Sequence, residues 1–159
     1  MTPQDFLTNV VRPALLSLDM PNPNAERLLM GTAAQESGFV FTRQVGGGPA
    51  LGFFQMEPAT HDDCWTNYID FRPLLKAKVL GCIVPAAPPS AALMETNPIY
   101  AAVMARVRYL RAPGAIPEDG LSIAKYWKDH YNTVLGAGSV QDFVTTWNLL
   151  LSGIYGRIG

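Results

Sequence analysis

With 159 residues, 48% of them apolar and 16% charged, the chain has material for one well-filled core and too little for two, and this balance excludes a disordered or coiled-coil polypeptide. A net charge of −1 leaves no broad basic surplus, so binding to nucleic acid through backbone electrostatics is not expected. No apolar run reaches bilayer-spanning length, and Met1 to Val11 lacks a basic stretch followed by an apolar one, so neither a membrane span nor a secretory signal is expected.

In chain order the dominant period is helical. Pro3 to Leu18 carries Phe6, Val10, Ala14 and Leu18 at four-residue steps, with Pro13 inside the ladder, which predicts a kink or break near Arg12. "MPNPN" is turn chemistry, and Asn24 is expected to cap a helix that runs to about Ser37 and stops at Gly38. "RQVGGGPALG", Arg43 to Gly52, reads as a loop, because three glycines and a proline hold neither a helix nor a central strand. Gly46, Gly47 and Gly48 read as a flexible connection, with closure over a ligand as the alternative. Pro58 suits a first helical turn, with the helix continuing to about Phe71. "GCIVPAAPPS", Gly81 to Ser90, is expected to be a surface excursion.

Asn97 as cap and Pro98 at the first helical position open a helix striped by Ile99, Val103, Val107 and Leu110. A further helix, about Asp119 to Asn132, aligns Ile123, Trp127 and Tyr131, with Trp127 and Trp147 assigned to the core. The last helix begins with the capping-box pair Ser139 and Asp142 and carries Val140, Phe143, Val144, Trp147, Leu151 and Ile154 on one face. Only "LGFFQM" suggests a short extended piece. The expected fold is a compact, mainly helical single domain over residues 1–159.

One residue breaks the apolar pattern. Leu29, Ala33 and Glu36 sit at i, i+4 and i+7, so a carboxylic acid extends a core stripe into the last turn of a helix. Desolvation and the carbonyl end of the helix both disfavour the charged form and raise the pKa, which suits a general acid that must hold a proton near neutral pH. The plainer alternative is a helix-end glutamate paired with Arg43 or another cation. Cys64 and Cys82 are too few for a disulfide framework, and whether they pair is left open. With His61 and His130 they form no familiar zinc spacing, so no metal and no cofactor is expected.

The pieces around Glu36 add to this. Glu36-Ser37, a glycine-rich loop, and then Gly52-x-x-Gln55-x-x-Pro58-x-Thr60 resemble the lytic transglycosylases of the lysozyme-like superfamily. Ala105 with Tyr109-Leu110 is similar to that family's Ala-x-x-x-Tyr-Leu helix, and Tyr131-Asn132 to its Tyr-Asn pair, all in the family's order. Phe53-Phe54, Glu57 and Thr133 depart from the pattern. The resemblance implies a lysozyme-like helical fold and cleavage of the MurNAc–GlcNAc β-1,4 bond of peptidoglycan. Glu36 would act first as acid and then as base toward the sugar's C6 hydroxyl, closing a 1,6-anhydro ring.

It further implies that Ser37 hydrogen-bonds near the acid or the acetamido group. Gly52, Gln55 and the backbone of Phe54 or Met56 would hold sugar substituents. Tyr131 would hydrogen-bond and position Glu36, and Asn132 would contact the glycan. Phe53, Phe54 and Trp65 are candidate sugar-stacking faces. Hydrolysis assisted by Glu57, Asp62 or Asp63 is the runner-up; as plain structure these are acids at a helix start. No Asp or Glu lies between Ser37 and Met56, which favours the one-carboxylate mechanism. A non-catalytic structural protein of a virion or secretion apparatus is the third reading. The expected partners are a peptidoglycan glycan strand and other proteins of a virion or wall-penetrating apparatus. The expected place of action is the bacterial wall or periplasm, reached with a virion or by other delivery.

Overall fold

The computed structural model describes residues 1–40, 47–132 and 136–159. Prolines mark most helix starts, because the first turn has no use for their missing N–H. Pro3 opens α1 (Pro3–Phe6), Pro23 opens α3 (Pro23–Ser37), Pro58 opens α4 (Pro58–Asn67), Pro73 opens α5 (Pro73–Leu80) and, after the short α6 (Leu93–Thr96), Pro98 opens α7 (Pro98–Leu110). Between α1 and α3 lies α2 (Arg12–Ser17), and the chain ends with α8 (Gly120–Trp127), α9 (Val140–Leu150) and α10 (Ser152–Tyr155). The protein is mainly helical, as the periodicity indicates. "LGFFQM" supplies a single antiparallel bridge between Leu51 and Met56.

Near Arg12, where Pro13 predicts a kink or break, the helical run changes type without ending. A π-helical turn, Leu7–Val11, precedes Pro13, and the Arg12 N–H donates to the Leu7 carbonyl. The widened turn makes room for a proline ring that would otherwise collide with the preceding turn. Two other boundaries differ from the sequence reading, each for a local reason. The cap of α3 is Asn22, whose Oδ1 accepts from the Asn24 and Ala25 N–H groups, because Pro23 takes the first helical position. The helix begun at Pro58 ends at Asn67; Tyr68, at φ −138° and ψ −64°, leaves the helical region, and a 3-10 turn, Ile69–Phe71, follows.

The other caps follow the sequence. Gly38 ends α3 in the left-handed region at φ +60°, Asn97 accepts from the Tyr100 N–H, Asp119 caps α8, and Ser139 with Asp142 closes a reciprocal capping box. Gly81–Ser90 is largely exposed, anchored by buried Cys82 and Ile83. Cys64 and Cys82 are both free, buried thiols. No helix among the described residues is long and apolar enough to cross a membrane.

One helix organises the core. α7 is buried well beyond its expected stripe, with Tyr100, Ala101, Ala102, Val103, Met104, Ala105, Val107 and Tyr109 all inside. It touches α2, α3, α4, α6 and both π-helical turns, the second being Lys128–Asn132 after α8. α3 in turn packs most extensively on α9. Gly31 permits that approach: a Cβ there would sit 2.4 Å from Cζ of Phe143. Phe6 gathers Phe39, Phe53 and Phe54 into an aromatic cluster with centroids 5.0, 5.2 and 5.8 Å away.

The loop that resembles the Gly-x-x-Gln motif is tightly built. The Leu51 N–H donates to the Met56 carbonyl and the Met56 N–H to the Leu51 carbonyl, closing the four residues Gly52 to Gln55 between them. Gly52 adopts φ +76°, and a Cβ on it would lie 2.3 Å from the Met94 carbonyl oxygen. Gly38 has a similar backbone need, at φ +60°, with nothing near its missing Cβ. Gly38→Ala is therefore expected to cost about 1 kcal/mol, the backbone term alone. Gly52→Ala adds a backbone collision and is expected to cost about 2–4 kcal/mol. Urea unfolding of the two variants measures both; equal losses would show that the Gly52 loop yields freely.

Candidate active site

Glu36 lies in the last turn of α3, half-buried, at a point where four elements meet. From α8, the indole N–H of fully buried Trp127 donates to Glu36 Oε2 at 3.1 Å. From α7, Tyr109 is fully buried, and its hydroxyl is 2.8 Å from Oγ1 of Thr32. Thr32 spends its own proton on the Leu28 carbonyl at 2.7 Å, so Tyr109 donates. From the second π-helical turn, Tyr131 stacks on Tyr109 with centroids 5.3 Å apart. The Tyr131 hydroxyl donates to the Phe54 carbonyl at 2.7 Å, which ties the Gly52–Gln55 loop to the same cluster.

Burial pushes the Glu36 carboxyl up to about 7; the Trp127 hydrogen bond and the positive charge of Arg108 pull the other way without cancelling it. The group therefore carries a proton for much of the time near neutral pH. Once that proton leaves, the indole N–H remains to hold the carboxylate. Such a pair of states is what an acid that later acts as a base requires.

The hydrogen-bond partners of the neighbouring residues are as follows. Ser37 is buried; its hydroxyl donates to the Ala33 carbonyl at 2.9 Å and accepts from the Phe39 N–H at 3.2 Å, so it finishes α3. Tyr131 does not donate to Glu36, because its single proton goes to Phe54. The Met56 N–H is committed to Leu51, so it is not a free donor for a sugar, and the Phe54 carbonyl already accepts from Tyr131. Gln55 is partly buried at φ +48°, and its side-chain amide donates to the Gly52 carbonyl at 2.8 Å, bracing its own loop.

Asn132 accepts from Lys128 Nζ at 2.8 Å. The same ammonium reaches the carbonyls of Gly136 at 3.2 Å and Gly138 at 2.6 Å, pinning the approach to α9. Phe53, Phe54 and Trp65 are core residues, at 9%, 1% and 8% exposure, and offer no open face for stacking.

The carboxylates considered for hydrolysis are placed as follows. Glu57 is an exposed residue at the N-cap position of α4. Asp62 meets Nδ1 of His61 at 2.8 Å, and Asp63 accepts from Arg111 at 2.7 Å. His61 belongs to a buried chain in which its Nε2 and Trp65 Nε1 both meet the Tyr100 hydroxyl, at 2.7 and 3.0 Å. Among the described residues no group of three or more His, Cys, Asp and Glu is arranged to hold a metal ion. Arg43, the alternative partner for Glu36, lies outside the described residues, as does Thr133.

Sequence reasoning missed two contributors. Trp127 was assigned to the core, correctly, but a buried indole needs an acceptor, and its place one turn before Tyr131 on the same stripe was the available signal. Arg108 stacks on the Tyr131 ring at 4.4 Å and acts electrostatically on Glu36; nothing in its local sequence marks it. Comparison of the chain with protein-family models, with characterised proteins and with solved structures finds no match in any of the three.

A raised acid leaves a signature in stability. Between the ordinary carboxyl value of 4.5 and about 7, the folded protein binds more protons at Glu36 than the unfolded chain does. Stability from this group is therefore present below the unfolded value and lost as pH rises through the window, by at most about 3 kcal/mol before discounting for solvent exposure. Glu36→Gln removes the dependence. The variant is expected to gain on the parent between pH 5 and 8 in paired urea titrations; a constant difference across that range would contradict the buried-acid assignment.

Proposed function

We propose that the protein is a peptidoglycan lytic transglycosylase that uses Glu36 as its single catalytic carboxyl. One observation carries the reading: a carboxyl held at about 7 by burial, with an indole N–H on one oxygen, in a core that Tyr131 ties to a loop whose residues resemble that family's sugar-binding element. In this mechanism the Glu36 proton passes to the glycosidic oxygen as the C1–O bond breaks. The C6 hydroxyl of the same sugar then attacks C1 and loses its proton to the Glu36 carboxylate. The ring closes, the acid is restored, and no water is consumed. The Trp127 N–H supports the carboxylate in the interval between the two transfers.

The one-carboxylate form is supported by the engagement of two of the three alternatives, since Asp62 and Asp63 meet His61 and Arg111, while Glu57 stands exposed at the start of α4. In this reading Tyr131 fixes the Gly52–Gln55 loop, Ser37 finishes α3 beside the acid, and Asn132 holds Lys128. A protein with this activity works at the bacterial wall, and the partners it implies are the glycan strand and the proteins that bring it there, in a virion or another wall-penetrating assembly.

Purified sacculi test the proposal. The parent protein is expected to clear them and to release fragments lighter by one water than the hydrolytic products. Glu36→Gln is expected to lose about 10²- to 10⁴-fold in rate. kcat/KM is expected to fall as pH rises through about 7, because the proton needed for the first step is lost there. Products of hydrolytic mass would replace the transglycosylase with a muramidase; clearing unchanged in Glu36→Gln would remove Glu36 from the mechanism; no clearing by any form would favour the structural-protein reading.

A further inference from the structure

On the far side of Arg108 lies a cavity of about 600 Å³ between α4, the end of α7 and the second π-helical turn. Its walls include Thr60, Asp63, Arg108, Arg111, Asp129 and His130. The charges on these walls are not equivalent. Arg111 is spent, since its Nη1 donates to Asp63 at 2.7 Å. Arg108 is half-buried, and its guanidinium carbon lies over the Tyr131 ring, 4.4 Å from the centroid. Among the described residues no carboxylate is paired with it. A guanidinium covered on one face and unpaired at its edge is a fork for a planar anion.

We propose that this cavity is a carboxylate subsite in which the Arg108 guanidinium takes the anion bidentately, with Thr60 and His130 as flanking hydrogen-bonding groups. The charge count selects the class. Arg108 is the cation with no carboxylate paired to it among the described residues, the Arg111–Asp63 pair is neutral as a unit, and exposed Asp129 on the wall offsets the remaining charge, which leaves a local fork for a single negative charge and disfavours a dianion such as phosphate. Arg108 also contacts Tyr131 and acts electrostatically on Glu36, so it links the subsite to the surroundings of the proposed acid. Resting on the wall-polymer reading, the inference names the carboxylate borne by the muramic sugar or its stem peptide as the group that enters. The substrate preferred would then be a strand that carries this acidic substituent, rather than a plain chitin-like one.

Chemical-shift titration of the whole protein, following the arginine Nε–H resonances, tests this with four probes: N-acetylmuramic acid, N-acetylglucosamine, acetate and inorganic phosphate. N-acetylmuramic acid is expected to shift the Arg108 resonance and to bind at least about tenfold more tightly than N-acetylglucosamine, the factor expected for one charge-assisted pair. Arg108→Gln is expected to abolish the difference and Arg108→Lys, which keeps the charge and loses the fork, to recover only part of it. Equal binding of the two sugars, or a preference that survives Arg108→Gln, would overturn the subsite. Phosphate binding above N-acetylmuramic acid would overturn the carboxylate class, and acetate matching the acidic sugar would overturn the glycan as its source. Should Arg108→Gln not fold, the Arg108→Lys series and the parent probe ranking decide. Glu36→Gln is expected to keep the preference while losing clearing; absence of clearing by the parent protein with the preference intact counts against the wall reading and not against the subsite.

Discussion

The burial of one carboxyl sets the character of this molecule. Glu36 stands where α3 ends, and the space a solvated carboxylate would need is taken by Trp127, with Tyr109 and Tyr131 packed behind. Desolvation outweighs both the hydrogen bond and the nearby positive charge, so the group rests near the midpoint of its titration at neutral pH. Much of the surrounding architecture keeps that burial in place. α9 reaches α3 only because Gly31 has no side chain, and Phe143 from α9 meets the Trp127 ring at 5.2 Å. Lys128 ties the entry to α9 to the turn that bears Tyr131 and Asn132.

A second consequence concerns the loop from Leu51 to Met56. It is joined to the acid's surroundings through a backbone carbonyl, that of Phe54, and through the buried stack of Tyr131 on Tyr109. Its other polar groups largely hold the loop itself, with Gln55 bonded to Gly52 and Leu51 exchanging hydrogen bonds with Met56. The residues that resemble a family's signature thus read here as the fasteners of a rigid edge beside the acid. That division of labour is economical in a short chain, because a rigid edge fixes where a ligand can lie without spending side chains on contact.

Much of this was legible in the sequence because it rests on local rules. Helix periodicity, Pro98 after Asn97, the Ser139–Asp142 box and Gly38 after Ser37 depend on a few neighbouring residues and fall where those rules put them. The raised acid was legible too, from a carboxyl in register with Leu29 and Ala33. What was not legible depends on long-range partners. The commitment of the Tyr131 proton to Phe54 spans 77 positions and the Trp127–Glu36 bond spans 91. α5 and α6 lack strong periodicity and were not anticipated. Phe53, Phe54 and Trp65 carry no label in the sequence that separates a core ring from a stacking ring, and only the Phe6 cluster and the Tyr100 network decide it.

The most direct measurement is the titration of the Glu36 carboxyl itself, by carbon-13 chemical shift in the intact protein, assigned by its loss in Glu36→Gln. The account requires a midpoint near 7 that moves higher in Trp127→Phe, since that change removes the indole hydrogen bond that favours the charged form. A midpoint near 4.5 would mean that the carboxyl is solvated, and the acid proposed here would not exist; a midpoint near 7 that is indifferent to Trp127→Phe would remove Trp127 as the group that holds the carboxylate.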